Sequence, residues 1–112
     1  FWLKPHRDIK EKLMTLLGRW SVPLPVDEAK QLVGEGARLV DVRDPDEFQQ
    51  GAIEGAINIP VGQIAQRAAE FKEQSVVLYC KSGLRSQEAF QLLKSQGCDG
   101  VYNLGAMARW TS

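Results

Sequence analysis

The sequence has few side chains that bind metals, and it has no net charge. Two cysteines and one histidine stand among its 112 residues, whereas a structural zinc site takes four such ligands at short paired spacings. Its 14 basic and 14 acidic residues cancel, and nucleic-acid binding favours an excess of positive charge. No apolar run approaches the roughly 18 residues that span a membrane. We therefore expect no metal, no cofactor and no nucleic-acid partner.

What the sequence does have is the composition of a folded domain, with 44% hydrophobic and 25% charged residues. We assign residues 21–112 to one domain and residues 1–20 to an N-terminal amphipathic helical segment, in which leucine and isoleucine recur at helical spacing. An alternative hypothesis is that residues 1–3, followed by Lys4 and Arg7, are the interfacial end of a membrane anchor upstream of this chain.

Strand and helix patterns alternate along the predicted domain. Short apolar or β-branched runs predict strands, and the segments between them carry apolar residues at helical spacing. The predicted strands are 38–42, 56–59, 75–79 and 100–104, and the predicted helices are 25–33, 45–50, 63–71 and 86–96. This alternation indicates an α/β domain with a mostly parallel sheet and helices on both faces.

The most apolar strand, 75–79, is followed at once by Cys80 and a loop that leads into a helix. Ligands of open α/β sheets bind beyond the carboxyl ends of the strands. Backbone N–H groups of such a loop, together with the helix N-terminus, can surround the sulfur as an anion-binding nest. Lys81 and Arg85 add positive charge that favours the thiolate over the thiol, and Gly83 permits the turn.

Several neighbouring residues support this candidate site. Ser82 and Ser86 can donate further hydrogen bonds to a bound anion. Asp41 and Arg43 end the neighbouring predicted strand, so we expect them at the same edge of the sheet, where an ion pair between them would brace the site. Without the loop, Cys80 would be interpreted as a small buried residue at a strand end, which is common.

The spacing of cysteine and arginine separates two chemistries. Cysteine-dependent phosphatases place them six positions apart, because their loop wraps a tetrahedral phosphate. Cys80 and Arg85 are five positions apart, and the shorter loop makes a narrower cradle, suited to the outer sulfur of a persulfide.

Several sequence blocks, taken together in this order, resemble the single-domain rhodanese family. The blocks are 39–43 followed by Glu47-Phe48, then 51–60, then 77–86, and last 103–106 with Trp110. Two positions depart from the family pattern, which often has histidine in place of Ala52 and glycine in place of Ala106; we expect both to affect packing rather than catalysis.

The resemblance implies a rhodanese-like three-layer α/β/α domain and a sulfurtransferase that moves sulfane sulfur through a Cys80 persulfide. The donor would be thiosulfate or a persulfide, and the acceptor cyanide or a thiol. Cys80 and Arg85 would be the catalytic residues. The implied substrate-binding residues are Lys81, Ser82, Gly83, Leu84 and Ser86, with Asp41 and Arg43 in support.

Two other functions stay open at this point: a non-catalytic rhodanese-like binding or regulatory module, and a cysteine-dependent phosphatase or arsenate reductase. We expect a monomer whose partners are a small anionic sulfur donor and a thiol or cyanide acceptor, with a sulfur-relay protein as a further hypothesis. A reactive thiol is best preserved in the reducing cytoplasm, whereas the start at Phe1 leaves open a membrane-anchored or periplasmic precursor.

Overall fold

The computed structural model describes residues 23–111, which alternate between strands and helices as predicted. The elements in the first half are helix α1 (Val26–Gly34), strand β1 (Arg38–Asp41), helix α2 (Pro45–Gln50), strand β2 (Ile57–Asn58) and helix α3 (Val61–Ile64). Those in the second half are a 3₁₀ helix (Ala65–Phe71), strand β3 (Val76–Cys80), helix α4 (Leu84–Ser95), strand β4 (Val101–Ala106) and a second 3₁₀ helix (Met107–Thr111). The predicted helical segment 1–20 lies outside the described residues. Within residues 23–111, no helix is long and apolar enough to cross a membrane.

The four strands form one sheet in the order β2-β1-β3-β4, and every neighbouring pair is parallel. All five residues of β3 are buried, as expected for a strand that is covered on both faces. Because the strands are parallel, their carboxyl ends meet at one edge of the sheet. Asp41, the last residue of β1, pairs with Tyr79, the residue before Cys80.

Two apolar clusters cover the two faces of the sheet. Neighbouring residues of a strand point in opposite directions, so Leu78 packs in the cluster beneath α3, the first 3₁₀ helix and α4, whereas Val77 packs in the cluster beneath α1. Phe71 anchors the first cluster, and Trp110 packs against the second. The predicted three-layer α/β/α architecture with a parallel sheet is confirmed.

Three elements differ from the prediction by more than one residue at a boundary. The expected helix 63–71 is divided between α3 and a 3₁₀ helix, whose three-residue period places the buried Ala68 and Phe71 on one side. Helix α4 begins two residues early, because Gly83 takes a left-handed φ of +102° and serves as its N-cap. Strand β4 continues to Ala106 through a bulge, at which the pairing with β3 shifts and Gly105 has a φ of +91°.

Gly100 generates a prediction about stability, because it lets the chain entering β4 pass close to the chain entering β3. A Cβ atom at position 100 would lie 2.7 Å from the Gln74 carbonyl oxygen. We expect Gly100→Ala to lower the free energy of unfolding by about 1–3 kcal/mol, since backbone must move to make room. Urea unfolding measures this.

Gly62→Ala is the matched control, because no atom lies within 4 Å of the Cβ that it would gain, and Gly62 is helical. This variant should be at least as stable as the wild type. A Gly100→Ala variant that unfolds at the wild-type urea concentration would contradict the close approach.

Candidate active site

The loop after β3 folds back over the sulfur of Cys80. Cys80 is the last residue of β3 and is fully buried. Its Sγ accepts hydrogen bonds from the backbone N–H groups of Gly83 at 3.0 Å and of Ser86 at 3.3 Å, and it lies 3.6 Å from the Ser86 hydroxyl oxygen. Backbone donors aimed at one sulfur stabilise negative charge on it.

Gly83 makes this arrangement possible. Its φ of +102° lies in the left-handed region, which L side chains rarely adopt. The turn at Gly83 points its own N–H at the sulfur and starts α4 one residue later, so the sulfur also faces the N-terminus of a 12-residue helix. The Ser86 hydroxyl donates to the Gly83 carbonyl oxygen at 3.2 Å, which fastens the first turn.

The predicted loop residues fall into two groups. Gly83 and the buried Ser86 contact the sulfur directly, as described above. The other two named positions next to the cysteine, Lys81 and Ser82, are exposed, and Leu84 is 72% exposed. These three side chains therefore form the rim of the site. The loop supplies one backbone donor to the sulfur, the Gly83 N–H, and the first turn of α4 supplies the other, the Ser86 N–H.

Arg85 is held by an acidic partner that the sequence analysis did not identify. Its Nη1 and Nη2 donate to the two carboxylate oxygens of Glu47, at 2.6 and 3.1 Å. Glu47 lies in the first turn of α2, and its carboxylate also accepts the Asp44 backbone N–H at 3.1 Å. The Arg85 hydrogen bond lowers the pKa of Glu47 to about 2, so the pair is ionised at neutral pH. Glu47 was named in the sequence only as part of the block that follows residues 39–43, and that block indicated no partner for Arg85.

Asp41 and Arg43 form the predicted ion pair beneath the site. Arg43 Nη2 lies 2.7 Å from Asp41 Oδ2, Nε lies 3.0 Å from both carboxylate oxygens, and the side chains are 7% and 0% exposed. Arg43 also donates to the Gly51 carbonyl oxygen at 2.7 Å, and the Asn58 amide donates to the Asp41 and Arg43 carbonyls. The pair thus joins β1, β2 and the loop after α2 into one support.

Tyr79 completes this support from β3. Its hydroxyl oxygen accepts the Ile53 backbone N–H at 3.0 Å, and its ring lies 5.9 Å from the Arg43 guanidinium carbon. Burial raises the pKa of Tyr79 well above its usual value, so the hydroxyl stays protonated. The sequence analysis assigned no role to Tyr79 or Asn58, because both were interpreted only as strand residues.

The second cysteine takes no part in the site. Cys98 is buried, its thiol donates to the Ala68 carbonyl oxygen at 3.3 Å, and burial raises its pKa. The 12 residues of α4 separate it from Cys80, a length of about 18 Å. Both cysteines are free.

Comparison with known proteins agrees with this geometry. The model of the rhodanese-like domain family matches residues 25–112. The chain belongs to the rhodanese-like domain family. The resemblance inferred from the four sequence blocks is therefore confirmed.

Individual relatives of this rhodanese-like chain are similar over most of the domain. The chain is 46% identical to the uncharacterized protein YqhL of Bacillus subtilis over 76 residues, which are 66% of this chain and 60% of YqhL. It is 35% identical to human thiosulfate:glutathione sulfurtransferase over 112 residues, covering 85% of this chain and 96% of the relative. The solved structure of the human single-domain sulfurtransferase TSTD1 has a TM-score of 0.70 at 33% identity, over 80% of this chain and 94% of that one. This chain thus spans only about three fifths of the Bacillus relative.

The buried ion pair of this rhodanese-like domain generates a prediction about stability. Asp41→Asn leaves the Arg43 cation buried without its counter-ion, so we expect the free energy of unfolding to fall by about 3–5 kcal/mol. Chemical unfolding measures the loss. Glu70→Gln is the control, because it breaks an exposed Arg67–Glu70 pair, and it should leave the unfolding midpoint near that of the wild type. Equal losses in the two variants would contradict the burial argument.

Glu47 generates a prediction about pH. Its pKa is lowered from 4.5 to about 2, so the carboxylate stabilises the folded state above about pH 4.5, and this contribution is lost as the pH falls toward 2. We expect the wild type to melt a few degrees above Glu47→Gln at pH 7, and the difference to vanish near pH 2. A difference that stays constant between pH 7 and pH 2 would contradict the assignment.

Proposed function

We propose that this chain is a rhodanese-type sulfurtransferase that carries sulfane sulfur as a persulfide on Cys80. The observation that carries the proposal is the convergence of the Gly83 and Ser86 N–H groups on the Cys80 sulfur at a helix N-terminus. Such donors stabilise both the attacking thiolate and the anionic outer sulfur of a persulfide. The names of the curated relatives, among them the human thiosulfate:glutathione sulfurtransferase, support this function.

The first half-reaction loads the enzyme. The Cys80 thiolate attacks the outer sulfur of thiosulfate, a new S–S bond forms, and the bond between that sulfur and the sulfonate breaks. The bonding electron pair leaves with sulfite, and the negative charge of the enzyme moves from the cysteine sulfur to the outer persulfide sulfur. The N–H groups around the sulfur stabilise this negative charge by hydrogen bonding. They need not reorganise, because the backbone already holds them in place.

The second half-reaction returns the enzyme to its starting state. A nucleophile, cyanide or a thiolate, attacks the outer sulfur and takes it, while the electron pair of the S–S bond returns to Cys80. No external oxidant or reductant takes part in either half-reaction. Cys80 is buried beneath its loop, which favours small donors and acceptors, or thiols carried on a narrow extended chain.

Two observations favour this function over the alternatives. A non-catalytic module needs no backbone donors on a cysteine sulfur, whereas this loop supplies two. The five-residue spacing between Cys80 and Arg85 makes a loop that is too short to wrap a whole phosphate, as a cysteine-dependent phosphatase would require.

Intact mass spectrometry tests the proposal directly. Incubation with thiosulfate should add one sulfur, about 32 Da, and cyanide should remove it. Cys80→Ser should gain no mass, and Cys98→Ser should behave like the wild type, because Cys98 lies at the far end of α4. A wild type without the adduct, or an equal adduct on Cys80→Ser, would overturn the proposal.

A further inference from the structure

Two arginines of the site, one at its mouth and one beneath it, are each held in a tight ion pair. Arg85 is bonded through both terminal nitrogens to Glu47, with side chains that are 32% and 31% exposed. Beneath the site, Arg43 is bonded to Asp41 through Nε and Nη2. Each pair sums to zero charge. Arg85 therefore does not present an uncompensated cation to an approaching anion, whereas the sequence led us to expect that it adds positive charge to the site.

Glu47 is placed to hold this arrangement without help from a substrate. It lies in the first turn of α2, where its carboxylate also accepts the Asp44 backbone N–H. Its orientation is thus fixed by its own helix before it meets Arg85. A bidentate bond between a planar guanidinium and a carboxylate sets the angle as well as the distance. The pair connects the first turn of α2 to the first turn of α4, through two residues that are 38 positions apart in the sequence.

We infer that Glu47 is a positioning residue that orients Arg85 at the mouth of the site, cancels its charge, and thereby shifts the donor preference toward sulfur compounds with one negative charge rather than two. The inference rests on the proposed sulfurtransferase function. An organic thiosulfonate or an organic persulfide is a donor of the favoured class, and thiosulfate is a donor of the disfavoured one. The loop N–H groups and the exposed Lys81 at the rim then bind the anionic donor.

The physical reason is that the energy of a charge interaction is proportional to the product of the two charges. Removal of the Glu47 charge exposes the donor to one additional positive charge, and a dianion gains about twice as much from it as a monoanion does. This additional attraction strengthens the binding of the donor, so we expect it to lower KM rather than to raise kcat. The difference between the donors decreases with added salt, because the pair is only partly buried.

The test compares two sulfur donors in the wild type and in Glu47→Gln. Thiosulfate is the dianion and benzenethiosulfonate is the monoanion, with cyanide as the common acceptor at low ionic strength. We expect Glu47→Gln to raise the ratio of kcat/KM for thiosulfate to that for benzenethiosulfonate by about threefold to tenfold. The change should come mainly from a lower KM for thiosulfate, and it should shrink at high salt.

Two further variants separate positioning from folding. Glu47→Asp keeps the charge on a shorter side chain, so it should keep the wild-type ratio even where both rates fall. Glu70→Gln removes the same charge from another bidentate arginine pair on the surface, with Arg67 at 2.7 and 2.9 Å, and it should leave the ratio unchanged. Thermal melting confirms that each variant is folded.

The outcomes distinguish this inference from the proposed function. Transfer from both donors with an unchanged or lower ratio in Glu47→Gln would overturn the inference and leave the sulfurtransferase function standing. An equal rise in the ratio in Glu70→Gln would overturn it as well, because the effect would then follow the net charge. The absence of transfer from either donor in the wild type would overturn both.

Discussion

The site depends on one constraint: the chain must return to the Cys80 sulfur within three residues of leaving β3. The Gly83 N–H reaches Sγ at 3.0 Å only because Gly83 takes a φ of +102°. Residues with a Cβ atom are sterically strained in this conformation. The same turn starts α4 and brings the Ser86 N–H to the sulfur. Strand end, anion nest and helix N-terminus are therefore consequences of a single backbone turn. Any residue with a Cβ atom at position 83 would hold this turn only under backbone strain, because of the positive φ.

The turn alone would not hold the sulfur at a defined place, and the neighbouring strand supplies the rigid support. Asp41 pairs with Tyr79 in the β1–β3 ladder, so its bond to Arg43 fixes the edge of the sheet one residue from Cys80. Arg43 extends that support to the Gly51 carbonyl, and Asn58 extends it to β2. A buried ion pair adds little net stability over apolar packing. Its value here is directional, because it orients the guanidinium that bonds the Gly51 carbonyl, next to the Asn58 amide that bonds the carbonyls of Asp41 and Arg43.

How much of this the sequence could predict depended on the range of each interaction. The strands, the nest at Cys80 and the Asp41–Arg43 pair follow from local patterns, and the structure contains them. The Glu47–Arg85 pair joins residues 38 positions apart, and no local pattern specifies which of several acidic residues near α2 meets the arginine. The early start of α4 depends on the left-handed conformation of Gly83, which a glycine permits but the sequence does not specify. The bulge before Gly105 could not be predicted either, because it depends on how β4 pairs with β3.

The two cysteines show why burial alone does not explain the candidate chemistry. Both belong to the same apolar cluster, and neither is exposed. The Cys98 sulfur faces the Ala68 carbonyl oxygen, an acceptor that favours the thiol, and burial raises its pKa. The Cys80 sulfur faces two backbone N–H donors, which favour an anion at that position. The two residues differ in the polarity of the backbone groups around them, and those groups are set by the turn at Gly83. The proposed chemistry of Cys80 therefore depends on the loop that surrounds its sulfur and not on the burial that it shares with Cys98.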